Sequence, residues 1–79
     1  MSSNIVTNPY QKNLDQISLY LCELRFAKNK TQMEASKEMG LHRNSLLRIE
    51  NSKNFTIKTL LLLADYYSLQ PSEILSIID

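Results

Sequence analysis

Apolar positions recur at helical spacing along most of the chain and nowhere alternate as in a strand. Residues 1–12 are polar, include Pro9 and show no period, which predicts a loose arm with Tyr10 as its one large anchor. From Asn13 onward Leu14, Ile17, Leu21 and Leu24 return at steps of three and four, predicting a first helix over about 13–28. A second stripe on that helix, Leu19, Cys22 and Phe26, calls for cover from the arm or from a partner. Thr31 with Glu34 three residues on is a capping box, in which hydroxyl and carboxylate satisfy free backbone N–H groups at a helix start. The second helix runs from there to Met39, and Gly40, the one glycine in the chain, follows where helices end in a left-handed residue. A third helix extends from near His42 to about Glu50. The segment "NSKNF" reads as a loop, and Thr56 caps a fourth helix ending near Tyr67, with Ile57, Leu60, Leu61 and Ala64 as its apolar face. Pro71, pre-set for a first helical turn, opens a fifth helix whose apolar side is Ile74, Leu75 and Ile78. The pattern predicts an all-α fold of five short helices, with one domain over 13–79.

Composition narrows what such a domain can do. Apolar residues make up 43% of the 79-residue chain, enough for one small core but not for a deep substrate pocket beside it. His42 is the one histidine and Cys22 the one cysteine, so neither a zinc site nor a Cys-His nucleophile assembles with the usual ligand counts. A single glycine cannot build a phosphate-cradling loop, and the serines lack a histidine base in any recognisable motif. The chain is expected not to be an enzyme and to need no cofactor. The lone cysteine makes no intrachain disulfide, the first residues lack a signal-peptide pattern, and no apolar run approaches a membrane span; a soluble cytoplasmic protein is expected.

Charge is unevenly distributed. The total is +1, but residues 25–58 carry eight basic side chains against three acidic ones, a local charge of +5. Residues 1–24 sum to −1 and residues 59–79 to −3. A basic middle third points to a polyanion, although a solvated helical surface can also be locally basic.

Two short helices joined by a glycine turn, the second with polar residues outward, describe a helix-turn-helix whose second helix can enter the DNA major groove. At about 100° per residue, inward Leu46 and Ile49 leave Asn44, Leu47, Arg48 and Asn51 on the opposite side, with Arg43 projecting from the first turn. Arginine can bond guanine through two donors, and asparagine can match adenine's donor and acceptor, although an ordinary solvated face also commonly carries both residues.

The stretch "TQMEASKEMGLHRNSLLRIEN" resembles the helix-turn-helix of the lambda-repressor and Cro superfamily, also called the XRE family, and the likeness extends from Leu24 and Arg25 to "SEIL" at 72–75. It implies a lambda-repressor-like five-helix DNA-binding domain. It assigns Arg43, Asn44, Leu47 and Arg48 to base contacts in the major groove. Gln32 takes the place of the glutamine that bonds a DNA phosphate and braces the recognition helix, a role that fits a helix N-terminus. Asn51, Lys53 and Asn54 match the loop that grips backbone phosphate, and Arg25 and Glu50 match an ion pair between helices 1 and 3. There are departures. Ser36 replaces a commoner alanine, Ala35 a larger aliphatic, His42 a serine cap, and Ser68 a glycine that often closes helix 4. Leu47 places an apolar side chain toward the expected DNA, where it meets a thymine methyl or else packs on a neighbouring helix.

Leu60 to Leu63 with Tyr66, Tyr67, Ile77 and Ile78 offer more apolar surface than one helical face requires; either helix 4 is buried on two sides within the monomer or, as expected here, the chain forms a homodimer through the helix 4 and helix 5 region. The resemblance then implies a transcriptional regulator that binds double-stranded operator DNA as a homodimer with no small-molecule ligand. "HRNSLLRIENSKNFTIKTL" is similar to controller proteins of restriction-modification systems and, less specifically, to phage Cro-type repressors and antitoxins. The competing reading is a protein-binding adaptor that keeps the fold without the DNA role.

Overall fold

The computed structural model describes residues 9–78, and within them every regular element is a helix. In chain order these are α1 (Gln11–Ala27), α2 (Gln32–Met39), α3 (Arg43–Glu50), α4 (Ile57–Tyr66) and α5 (Pro71–Leu75). Most of the expected arm, residues 1–8, lies outside the described residues, as does Asp79.

Helix α1 begins at Gln11, two residues earlier than the apolar period indicates. No apolar side chain marks that start. Leu14 N–H bonds the Tyr10 carbonyl at 2.9 Å, and the Gln11 amide bonds Asp15 Oδ1 at 3.0 Å one turn on. Tyr10 is 68% exposed.

All five helices contribute to one core: Ile17 and Leu21 of α1, Ala35 and Met39 of α2, Leu46 and Ile49 of α3, Leu60, Leu63 and Ala64 of α4, and Ile74 of α5. Helix α1 packs on α3 and α5, α2 packs on α3 and α4, and α4 packs on α5. A fully buried leucine or isoleucine contributes roughly 1.5–3 kcal/mol relative to an exposed one, so these contacts, not helix propensity, hold such short helices.

Two apolar faces differ from those read in the sequence. On α4 the buried residues are Thr59, Leu60, Leu63 and Ala64, while Ile57 is 70% and Leu61 50% exposed. Four consecutive leucines carry no period, so packing against the other helices alone sets which pair turns inward. On the short α5 Ile74 is buried, Leu75 is 44% exposed and Ile78 lies half-buried beyond the helix end. The stripe of Leu19, Cys22 and Phe26 remains on the surface, with only Cys22 partly covered among the described residues.

Candidate nucleic-acid interface

The α2–turn–α3 unit is fixed by three local devices. At the start of α2, Glu34 N–H donates to Thr31 Oγ1 at 3.1 Å and Thr31 N–H donates to Glu34 Oε1 at 2.9 Å, the expected capping box. At its end Gly40 takes φ +71°, and the Gly40 and Leu41 N–H groups bond the Lys37 and Ser36 carbonyls. A Cβ on Gly40 would meet no atom within 4 Å, so the requirement for glycine is one of backbone conformation, not space. At the start of α3, His42 Nδ1 accepts the Asn44 N–H at 3.1 Å, so the imidazole supplies the cap that a serine would give. Where α2 crosses α3, Ala35 and Ser36 are both buried, and the Ser36 hydroxyl donates to the Met33 carbonyl at 3.0 Å.

With Leu46, Ile49 and Glu50 facing inward, Arg43, Asn44 and Arg48 are exposed along the outer side of α3. Asn44, Leu47, Arg48, Asn51 and Lys53 line one surface cleft. Leu47 is half-buried there but is not one of the partly buried apolar side chains packed on the core, which disfavours a role as a packing residue between helices. Arg48 also borders a second cleft with Ser45, Asn54, Phe55, Thr56 and Thr59, where α3 meets the start of α4. Six of the eight residues expected to touch DNA therefore line these two adjoining clefts; Arg43 stands exposed at the beginning of the same helix, and Gln32, bonded to Glu50, lines neither cleft.

Gln32 belongs to a buried cluster at the end of α3. Arg25 Nε lies 2.9 Å from Glu50 Oε2 and 3.2 Å from Oε1, and the two side chains are 9% and 1% exposed. Gln32 Nε2 donates to Glu50 Oε1 at 2.8 Å. Arg25 Nη1 donates to the Lys30 carbonyl at 2.8 Å, which ties the α1–α2 turn into the cluster. The hydrogen bonds and charge of Glu50 hold the Arg25 guanidinium more firmly protonated than usual. The Glu50 backbone carbonyl in turn accepts from Ser18, with Cys22 Sγ 3.9 Å away. Burial first, and the Glu50 charge second, push both the Cys22 thiol and the Tyr67 phenol up from their ordinary values. The Tyr67 hydroxyl is buried without a hydrogen-bond partner among the described residues.

Sequence reasoning missed several supports. Ser18 sits between Ile17 and the rest of the inward face of α1, and a hydroxyl at such a position is the signal of a specific bond. Gln11 Nε2 reaches the Ser52 carbonyl at 3.1 Å and so pins the turn after α3 to the first turn of α1; nothing local in the sequence announces a contact between residues so far apart. Lys30 Nζ meets Glu38 Oε2 at 2.9 Å, Glu38 also accepts from the Tyr66 hydroxyl, and Lys28 Nζ lies 4.9 Å from the Tyr66 ring centroid, joining α2 to α4 at the surface.

A capped helix, a left-handed glycine turn and a second helix braced from beneath with polar side chains outward define a helix-turn-helix domain. The chain belongs to the XRE-type helix-turn-helix family, whose model matches residues 23–74, more than half of its length. The fold is lambda-repressor-like, and the family is one of DNA-binding regulators that are usually not enzymes. No curated protein and no solved structure matches the chain closely enough to add to this. No helix among the described residues is long and apolar enough to cross a membrane.

Proposed function

We propose that this protein is a cytoplasmic, sequence-specific transcriptional regulator that binds operator half-sites as a homodimer and inserts α3 into the major groove. The observation that carries the reading is the single side shared by Asn44, Leu47, Arg48, Asn51 and Lys53, contiguous with Asn54 and the start of α4. In this reading Arg43, Asn44 and Arg48 bond base edges, Leu47 meets a thymine methyl, and Asn51, Lys53 and Asn54 hold phosphates beyond the helix. Gln32 keeps one amide hydrogen on Glu50, which leaves its second for a phosphate at the N-terminus of α2. Restriction-modification controller and phage-type repressor are the finer roles that the sequence resemblance supports, and the genes beside this one would separate them.

Selection of bound fragments from a random DNA pool tests the reading. A short motif repeated with two-fold symmetry about one helical turn apart is the expected result; retention of no motif at moderate salt would refute it. An adaptor role draws its support from Leu19 and Phe26, 62% and 64% exposed on α1. A stoichiometric protein partner together with no DNA shift at low salt would favour that alternative.

A further inference from the structure

The outward side of α4 has an order that its inward side does not. Thr59, Leu60, Leu63 and Ala64 are buried. At about 100° per residue, Lys58, Leu61, Leu62 and Asp65 fall within a sector of roughly 100° centred opposite Leu60 and Leu63. Leu61 is 50% exposed, and Leu62 is half-buried without being one of the side chains packed on the core. Lys58 and Asp65 are exposed, and neither joins an ion pair among the described residues. Ile57, 70% exposed, widens the patch at its N-terminal end. Isolated exposed leucines are ordinary. Here, however, the outward residues run Lys, Leu, Leu, Asp, a series that is its own charge complement when reversed.

We propose that this face of α4 is a self-association surface on which a second copy of the chain docks antiparallel. Lys58 pairs with Asp65 of the partner subunit, and Leu61 packs on Leu62 of the partner subunit beside the two-fold axis. The proposal rests on the homodimer of the reading above and gives it a surface and a register. Two-fold symmetry requires each contact to occur twice, so both ends of the helix pair carry opposite charges at once. A parallel pairing would set lysine against lysine and aspartate against aspartate, so charge selects the antiparallel arrangement. Thr56 and Thr59, which border the cleft beside Arg48, lie on another side of α4, so docking leaves the α3 face open. One face of a ten-residue helix is smaller than the roughly 800 Å² per partner of a standard interface. The dimer is therefore weak when free and is reinforced by two adjacent half-sites on DNA.

Sedimentation equilibrium of the purified chain without DNA, from about 1 μM to about 1 mM, tests this directly. The wild-type chain should form a reversible dimer, and Lys58→Glu should raise its dissociation constant about tenfold by replacing two attractive contacts with two repulsive ones. The charge reversal Lys58→Glu with Asp65→Lys should restore the constant to within about threefold of wild type. Leu61→Asp should leave only monomer, with an unchanged far-ultraviolet spectrum; should that variant unfold, the charge variants carry the test alone. A monomeric wild-type chain at every concentration, a Lys58→Glu variant that dimerises like wild type, or a failed rescue would each overturn the proposal. So would a Lys58→Glu variant that loses DNA affinity at an unchanged dimer constant, since Lys58 would then be a phosphate contact. Because the measurement contains no DNA, failure of the DNA-binding reading shows separately, in the selection experiment.

Discussion

Gln32 and Glu50 are joined by a 2.8 Å hydrogen bond between the first residue of α2 and the last of α3. The bond links the helix that would lie against the DNA backbone to the end of the helix that would enter the groove. Arg25 fixes the same carboxylate from α1. Three helices thus converge on one buried charge, and the orientation of α3 depends on all of them.

Removing that charge should be costly. Glu50→Ala leaves the Arg25 guanidinium buried and unpaired, and the expected loss is about 3–5 kcal/mol in urea denaturation. Replacing both partners, Arg25→Met with Glu50→Leu, should lose much less because no charge is left uncompensated. Equal losses for the single and the double variant would mean that the pair acts through something other than its charge.

The unpartnered Tyr67 hydroxyl makes the opposite expectation for a neighbouring residue. Tyr67→Phe removes a buried polar atom that has no hydrogen bond, and should raise stability by up to about 1 kcal/mol. A lower melting temperature would show that the hydroxyl is satisfied in solution, by a bound water for example.

Gly40 and Ser68 form a matched pair of backbone tests. Both are left-handed, at φ +71° and +56°, each just past the end of a helix. Gly40→Ala should cost about 1 kcal/mol through φ alone, since an added Cβ clashes with nothing. Ser68→Gly should stabilise by up to about 1 kcal/mol, because glycine adopts that conformation freely. Thermal unfolding of the two variants should therefore shift in opposite directions.

Stability should fall at both ends of the pH scale. Hydrogen bonds hold the Asp15, Glu34 and Glu38 carboxyls below their ordinary values: to Asp15 from Gln11, to Glu34 from Thr31, and to Glu38 from Lys30 and Tyr66. The unfolded chain then takes up protons first, so their contribution is present above about pH 4 and is lost as pH falls through the lowered folded-state values. Desolvation, then the bond to Glu38, pushes Tyr66 up to about 12. Its contribution is complete below about pH 10 and is lost as pH rises from there to about 12. Urea midpoints measured across pH should show both arms, and Glu38→Gln should flatten each of them.

On DNA, base-reading and phosphate-holding residues should separate. Asn44→Ala or Arg48→Ala should cost about 1–3 kcal/mol on the preferred site and little on random DNA. Lys53→Ala should weaken all sequences alike and reduce the salt slope by about 1. Uracil in place of thymine should weaken wild-type binding more than that of Leu47→Ala, as measured by titration on otherwise identical duplexes.

Most helix starts and stops were legible in the residues because the physics that sets them is local; the start of α1, two residues before its apolar period, was not. A threonine three residues before a glutamate, a lone glycine after Met39 and a proline at position 71 each act within one turn of chain, and α2, the turn and α5 begin where those residues stand. The side of α3 that faces outward also followed from its own period, since Leu46 and Ile49 left one inward direction. Apart from the Arg25–Glu50 pair, which the family resemblance implied, contacts between distant segments were not legible. Four consecutive leucines in α4 could turn any of several faces inward, and the surfaces of α2 and α5 chose Leu60 and Leu63 over Ile57 and Leu61. Gln11 on the Ser52 carbonyl and Ser18 on the Glu50 carbonyl required three-dimensional proximity that no spacing encodes. Periodicity and capping are properties of a single helix, whereas burial and hydrogen-bond partners belong to the space between helices.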